Sequence, residues 1–481
     1  MKLHPFGSND PAQSPDLTKH NIEVLMGSVQ KSLQEVGRMS PNWSIYRVPK
    51  RLRQVNADAY TPHLISIGPF HHDQPGLDDM REHKWRYMLS LLRRVGAHDP
   101  MGEPLSSCAH VILNVEREVR DWYAASIELS PEELAMVLLL DGCFMLELFF
   151  RCRDREPSVV QNDPVFLSDW MVPAIRRDLA LLENQIPFFV LQRLFYVVVE
   201  HNAGIRADYL VYMALEFFRP ALGPSVILDP RIAVGSHEYC KHVLDLLLKF
   251  HLPLSPRTQR QPVAKLGATS AGAVKTASIR SAHRTSLRNV NSLVKGGVVI
   301  KKAKTTNLSD FKFKNGELYI PPLHIYWWTE SLLRNLIAFE HCCPNNMDSD
   351  RGQYIVSYIV LMDQLIETRE DIDLLKKEGI IVTEVGGSED VTNFFKDLSK
   401  QIIIKKFQFE QLCKEVGKYY ESRMRGYWRE FRHNHLNSPL TVMAFFVAIT
   451  FFACTILQAV YTIIRMLSGS SSVSGESKRL S

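Results

Sequence analysis

From Leu436 to Ile464 the chain carries no charged residue. Such a stretch belongs either in hydrocarbon or in the centre of a protein core. Pro439 follows Ser438, an N-cap and first-turn pairing that opens a helix. As a helix, the 25 residues from Leu440 to Ile464 would extend about 37 Å, against a hydrocarbon core of roughly 30 Å. Thirteen of them are Leu, Ile, Val or Phe, which favours insertion by roughly 4 to 8 kcal/mol before Thr and Gln458 are subtracted. Residues 437–464 are therefore expected to form a transmembrane helix, starting at Leu440 and ending at Ile464. Two other apolar runs fail the same test. Leu134 to Phe150 contains Asp141 and Glu147, and Ile186 to Val199 is short and contains Arg193. Both are expected to be core helices.

The flanking charges predict an orientation. Arg423, Arg425, Arg429 and Arg432 crowd the N-terminal side, while the other side offers Arg465 and, farther off, Lys478 and Arg479. The positive-inside bias places the large N-terminal part in the cytosol. Only the short tail 465–481 follows the span, the pattern of a tail anchor. The opening MKLHPFGSNDPAQSPDLTKH has no apolar core, so no cleaved secretory signal is expected. The sequons Asn42-Trp43-Ser44 and Asn307-Leu308-Ser309 are then chance matches. Arg425, Arg429 and Arg432 fall at i, i+4 and i+7, and Tyr427, Trp428 and Phe431 fall largely on the opposite face. Such a helix can lay its rings at headgroup level and its guanidinium groups against anionic lipid. The expected lipid-facing set is Arg423, Arg425, Trp428, Arg429 and Arg432. The alternative is a solvated helix packed on the domain.

The remaining sequence is that of a large globular domain. Of 481 residues, 46% are hydrophobic and 23% charged, which excludes wholesale disorder and collagen. Eight cysteines without a CxxC pair exclude a disulfide scaffold, and a net charge of +5 does not argue for a nucleic-acid binder. A mobile tail is expected over 1–20 and a helical domain over 21–435. Ile22, Leu25, Met26, Val29, Leu33 and Val36 follow helical spacing until Gly37. Residues 45–72 are Pro-punctuated and mostly irregular. Asp78 and Asp79 can cap a helix to Val95. Val111, Val115, Val119 and Trp122 mark another, and Ser130-Pro131-Glu132-Glu133 is a capping box opening a third to about Arg151. Pro173 opens a helix that Pro187 kinks or divides. Asn315-Gly316 between alternating apolar residues predicts a hairpin. Helices resume at Thr329, over 354–366, 372–378 and 390–398, and from about Gln408. The expected fold is mainly α: a multi-helical domain with a small β-hairpin and one C-terminal transmembrane helix.

Between Leu246 and Ser309 there is no Asp or Glu, while 12 Lys or Arg occur from Lys249 to Lys304. Residues 250–304 are expected to be a flexible basic insertion. It has almost no aromatic residue after Phe250, so the stacking needed for single-stranded nucleic acid is missing.

Five stretches in order resemble one family. They are RVPKRLRQVNADAYTPHLISIGPFHH at 47–72, DGCFMLELFF at 141–150, DLALLENQIPFFVL at 178–191, IPPLHIYWWTESLLRNLIAFEHC at 320–342 and MDQLIETREDIDLLKKEGII at 362–381. With a lone C-terminal span, they are similar to the plant family called domain of unknown function 247. The resemblance implies a plant membrane-associated protein, mostly helical, with no established enzymatic activity. Some grass members are implicated in pollen–stigma self-incompatibility, which implies recognition or signalling. Members tend to carry acidic residues before the Thr-Glu helix start, where this chain has Ile325-Tyr326-Trp327-Trp328.

Candidate chemistry is sparse. Asp141, Glu147, Asp178, Glu183, Asn184 and Gln185 lie in or beside apolar helices, with Arg151, Arg176, Arg177 and Arg193 available as partners. Buried carboxylates are costly unless paired, so a polar core network through Asp141, Glu147, Asp178 and Glu183 is expected. The competing reading is a carboxylate site for a metal or for acid–base work around Asp141, Glu147 and Glu183. His71-His72 with His83 lacks metal-ligand spacing, Gly68-Pro69 lacks a phosphate-loop pattern, and His341 beside Cys342-Cys343 is a helical neighbour pointing elsewhere. No catalytic residue, metal or cofactor is expected. The expected function is a single-pass membrane-anchored module for interaction, signalling or recognition, at the plasma membrane or an endomembrane. Its expected partners are the membrane and a protein. The alternatives are an enzyme with the carboxylate site and, less favoured, a nucleic-acid binder through the basic insertion.

Overall fold

The protein is described from a computed structural model over residues 15–35, 40–96, 98–154, 162–200, 209–223, 226, 228, 240–252, 287–343, 352–384, 386–435 and 439–473. Helices dominate, with few short strands. The first is α1 (Pro15–Glu35), which begins inside the stretch 1–20 expected to be a mobile tail. Pro15 suits a first helical position. The apolar side chains Ile22, Leu25, Met26, Val29 and Leu33 on α1 are all exposed.

The N-terminal half of the body is built from α2 (Arg81–Val95), α3 (Glu103–Arg120), α4 (Pro131–Asp154), α5 (Met171–Leu179), α6 (Phe188–Glu200), α7 (Tyr209–Phe217) and α8 (Val243–Phe250). At the centre, α4 packs against α2, α3, α6 and α7. Neighbours surround it, which is why its sequence is apolar on nearly every face. Its start is fixed by the capping box: the Ser130 amide donates to Glu133 Oε2 at 2.8 Å and the Glu133 amide donates to Ser130 Oγ at 3.1 Å. Pro187 divides rather than kinks: the chain turns through 180–187 before α6 begins at Phe188.

The C-terminal half contains α9 (Val290–Lys295), β1 (Val299–Lys302), β2 (Lys312–Lys314), β3 (Glu317–Ile320), β4 (Leu323–Ile325), α10 (Thr329–Cys342), α11 (Tyr354–Leu365), α12 (Arg369–Lys377), β5 (Ile381–Thr383) and α13 (Ser388–Ser399). Strands β2 and β3 form the expected antiparallel hairpin. Asn315 and Gly316 at its turn have φ of 54° and 82°, the two left-handed residues of a type I′ turn. On the other side of β3, β1 adds in parallel, and β4 pairs in parallel with β5.

Strand β1 and helix α9 lie within 250–304, so this part of the stretch expected to be flexible is ordered; residues 253–286 lie outside the described residues. Val290, Leu293, Val298 and Ile300 are buried, while Val294, Val299 and the nearby Lys295, Lys301 and Lys302 are exposed. Elements that short leave no periodicity to read.

The chain ends in α14 (Glu410–His435) and α15 (Pro439–Val473). Within α15, Phe446–Arg465 is long and apolar enough to cross a membrane, and none of that window is buried. The runs at 134–150 and 186–199, by contrast, supply core helices.

Candidate functional site

The irregular segment 44–72 buries Ile45, Val48, Leu52, Tyr60, Ile65 and Ile67, yet it has almost no ladder to satisfy its amides. Side chains from three of the other four motifs satisfy its backbone groups instead. Asp178, fully buried at the end of α5, accepts the amides of His63 at 3.0 Å, Leu64 at 2.7 Å and Ile65 at 3.0 Å, and the Arg177 guanidinium at 2.7 Å. Asn184 accepts the Ile67 amide at 2.6 Å and donates to the carbonyls of Ile65 and Asp178. Asn335 on α10 accepts the Leu182 amide at 2.8 Å and donates to the Ala59 carbonyl at 2.8 Å. Gln185 donates to the carbonyls of Leu179 and Leu181 and accepts the Leu244 amide at 3.3 Å, tying in α8.

Asp141 and Glu183 close this junction. Asp141 Oδ2 accepts the Gly68 amide at 2.8 Å, and Oδ1 accepts Lys84 Nζ at 2.5 Å; Lys84 also donates to the Ser66 carbonyl. Gly68 has φ of 74°, and a Cβ there would stand 2.5 Å from the Gln185 carbonyl oxygen, so only glycine fits. Glu183 accepts the Val48 amide and Arg53 Nη2, both at 2.6 Å, and Arg47 Nη1 at 3.1 Å. Burial pushes its carboxyl up, but His71, the Val48 amide and Arg53 overcome this and hold it at about 2. His71 Nε2 is 3.5 Å away and makes no geometrically sound hydrogen bond, so we assign the lowering chiefly to Val48 and Arg53.

Glu147 belongs to a separate cluster beneath α2. It takes Arg94 Nε at 2.6 Å and Arg151 Nε at 2.8 Å, and Arg151 continues to Asp163 at 2.6 Å, where the Tyr87 hydroxyl also donates. The four carboxylates thus do not converge on one space. Of the cations available on paper, Arg151 and Arg177 make ion pairs, whereas Arg176 donates to the Phe217 carbonyl and Arg193 is solvent-exposed. Burial lowers Arg176 to about 10. The partners the sequence did not disclose, Lys84, Arg94, Arg47 and Arg53, come from distant segments. A basic residue placed on an otherwise apolar helix face, as Lys84 is, was the signal for one of them. The cavity beside Asp141 and Lys84 holds about 40 Å³, enough for a water molecule and far below the 300 Å³ at which ligand pockets begin.

The remaining chemical candidates are engaged locally. His71 Nδ1 pairs with Gln74 at 2.8 Å and His72 contacts Asp73 at 3.5 Å, and among the described residues no three His, Cys, Asp or Glu side chains are placed to hold a metal. His341 Nδ1 donates to the Ile337 carbonyl at 2.8 Å and Nε2 accepts the Ile403 amide, while burial pushes the Cys342 thiol up to about 11. An acid and an imidazole positioned as neighbours in sequence therefore serve separate contacts. Glu340 itself caps α11 by accepting the amides of Ile355 and Val356 at 3.0 Å, and burial pushes its carboxyl up to about 7.

Of the juxtamembrane set, Arg423 and Arg425 are exposed on α14. Arg423 lies 5.9 Å from the Tyr427 ring centroid. The side chains of Trp428, Arg429 and Arg432 lie outside the described residues, as does that of Leu440, while Ile464 is exposed. In the departure at 325–328, Trp328 is buried under a stack with Tyr326, and Trp327 is half-exposed at a cleft of about 250 Å³ shared with Phe394 and Asp397.

A family model described as "Plant protein of unknown function" matches residues 45–454. The chain belongs to this family. UPF0481 protein At3g47200 of Arabidopsis thaliana is 28% identical over 442 residues, covering 88% of this chain and 87% of the relative. Putative UPF0481 protein At3g02645 of the same plant is 23% identical over 529 residues, covering 94% and 96%. No solved structure matches the chain significantly. The family match begins at Ile45, the first buried residue of the stitched segment that is apolar, and takes in every carboxylate of the junction.

Proposed function

We propose that this member of the family is a single-pass membrane protein whose helical body, on the cytosolic side, docks a protein partner in recognition or signalling and performs no catalysis itself. The observation that carries the proposal is the bare apolar window Phe446–Arg465 of α15, with Phe451 75% and Phe452 68% exposed. Water is a costly environment for that surface, and hydrocarbon is a favourable one. The arginine-rich end of α14 supports the cytosolic side. Asn307 supports it too, because its side-chain nitrogen donates to the Leu252 carbonyl at 2.7 Å inside the fold and is not offered to a glycan. The carboxylates support a non-catalytic role, because Asp141, Glu147, Asp178 and Glu183 each hold a cation and three of them also hold backbone amides. The half-exposed Trp327 beside α13 is the surface we assign to the protein partner, large aromatic side chains being enriched at such contacts.

The test is proximity labelling with the labelling enzyme fused to either end of the full chain, in parallel with its Trp327→Ala variant. We expect the N-terminal fusion to label cytosolic proteins and the C-terminal one lumenal or extracellular proteins. We also expect one or more cytosolic neighbours to be lost in the variant. Lumenal labelling from the N-terminal fusion would overturn the orientation, and an unchanged neighbour set would overturn the assigned surface.

A further inference from the structure

The three-stranded sheet has two unlike faces. Ile300, Leu318 and Ile320 are buried on one. On the other, the register sets Lys301 and Lys312 on either side of Tyr319, and Lys314 opposite Glu317. Between Val299 and Ile320 there are five lysines against two carboxylates. Lys301 is neutralised by Glu317 at 2.6 Å and Lys312 by Asp310 at 2.8 Å, whereas Lys304 and Lys314 make no ion pair among the described residues.

A cleft of about 540 Å³ opens there, lined by Lys304, Lys312, Phe313, Lys314 and Tyr319 together with Asp310, whose charge is taken up by Lys312. That volume is within the usual range for a small-molecule site. Its walls are chiefly apolar and its ammonium groups are exposed, so it suits a ligand with clustered negative charge on a compact body. The hairpin that forms it rests on α14, where the Phe313 and Tyr419 rings meet edge-on at 5.5 Å. The same helix runs on to the arginine-rich segment and then to α15. From Tyr419 to His435 is about 24 Å along a helix, so the cleft reaches lipid headgroups when α14 lies along the bilayer surface. The division of Arg425, Arg429 and Arg432 from Tyr427, Trp428 and Phe431 favours that attitude.

We propose that the cleft beside β2 binds the phosphorylated headgroup of an anionic membrane lipid, with Lys304 and Lys314 supplying the charge that phosphate groups neutralise. The shared chemistry is that of a polyphosphorylated ring, and the source is the bilayer in which α15 is anchored. The choice of bilayer rests on the membrane anchoring proposed above; the anion-binding chemistry of the cleft does not.

The full chain is placed in phosphatidylcholine nanodiscs and titrated with inositol trisphosphate by calorimetry. We expect binding that weakens as salt is raised. The Lys304→Gln/Lys314→Gln pair should weaken it about thirtyfold, roughly fivefold per basic residue, without a change in melting temperature. Lys400→Gln, a surface lysine paired with Asp397 away from the cleft, should leave it unchanged. In the second arm the discs contain phosphatidylinositol bisphosphate, which should occupy the cleft and abolish the response to added inositol trisphosphate. An undiminished response would overturn the lipid source and leave a soluble ligand. Equal affinities of the double variant and the parent would overturn the site altogether. Loss of the discs themselves during purification would instead count against the anchoring helix.

Discussion

Glu183 and Glu340 are buried carboxyls displaced in opposite directions. Glu183, held at about 2 by its partners, is ionised in the fold well below the usual carboxylate range. Its contribution to stability is full above about 4.5 and is lost as pH falls toward 2. A shift of that size corresponds to about 3 kcal/mol, and Glu183→Gln should flatten the acid limb of a stability–pH curve by that order. Glu340, raised to about 7, has the opposite sign: its contribution is full below about 4.5 and is lost as pH rises through 7. Glu340→Gln should therefore remove a decline in melting temperature between pH 5 and 7, measured by calorimetry in the same series. At the Lys84–Asp141 pair, Lys84→Met leaves a buried carboxylate unpaired and should cost about 3 to 5 kcal/mol in denaturant unfolding. The double variant Lys84→Met/Asp141→Leu should recover a large part of that loss, because the remaining cost is mainly the freed Gly68 amide and Ser66 carbonyl. Gly68→Ala should destabilise by about 1 to 3 kcal/mol, combining a left-handed backbone with contact against the Gln185 carbonyl.

Among the elements, those with long and regular patterns were visible in the chain itself. The capping box at Ser130, the Asn315-Gly316 turn and the unbroken apolar stretch of α15 are each local, and each forms where its residues indicate. Strand β1 and helix α9 were not visible, because one buried apolar residue in the strand and two in the helix give no period to read. The polar junction was half visible. Asp178, Glu183 and Asn184 stand out as polar residues in apolar surroundings, but apart from Arg47 and Arg53 their partners in 47–68 are backbone groups, which every residue carries and no sequence marks. The cationic cleft escaped because its residues come from the loop at Lys304, from Lys312 and Lys314 on β2 and from Tyr319 on β3, brought together by strand register. The bare window of α15 carries a prediction at this scale. Deleting 439–464 should leave the melting temperature of the body within about 2 °C of the full chain in detergent, since the window Phe446–Arg465 is not buried against it.

For the molecule as a whole, a junction of four motifs consolidates the helical body, and one apolar helix stands apart from it. The irregular segment 44–72 is the keystone, because it links α2, α4, α5 and α10 through contacts with side chains rather than through a sheet or long helix of its own. An apolar window with none of its surface buried, and four core carboxylates that each hold a cation, support the anchored scaffold proposed above over an enzyme built on those carboxylates. Extraction of cell membranes with alkaline carbonate, comparing the full chain with the 439–464 deletion, tests this most directly. We predict that the full chain stays in the membrane pellet and the deletion is released to the supernatant as a folded body. Release of the full chain, or retention of the deletion, would contradict it.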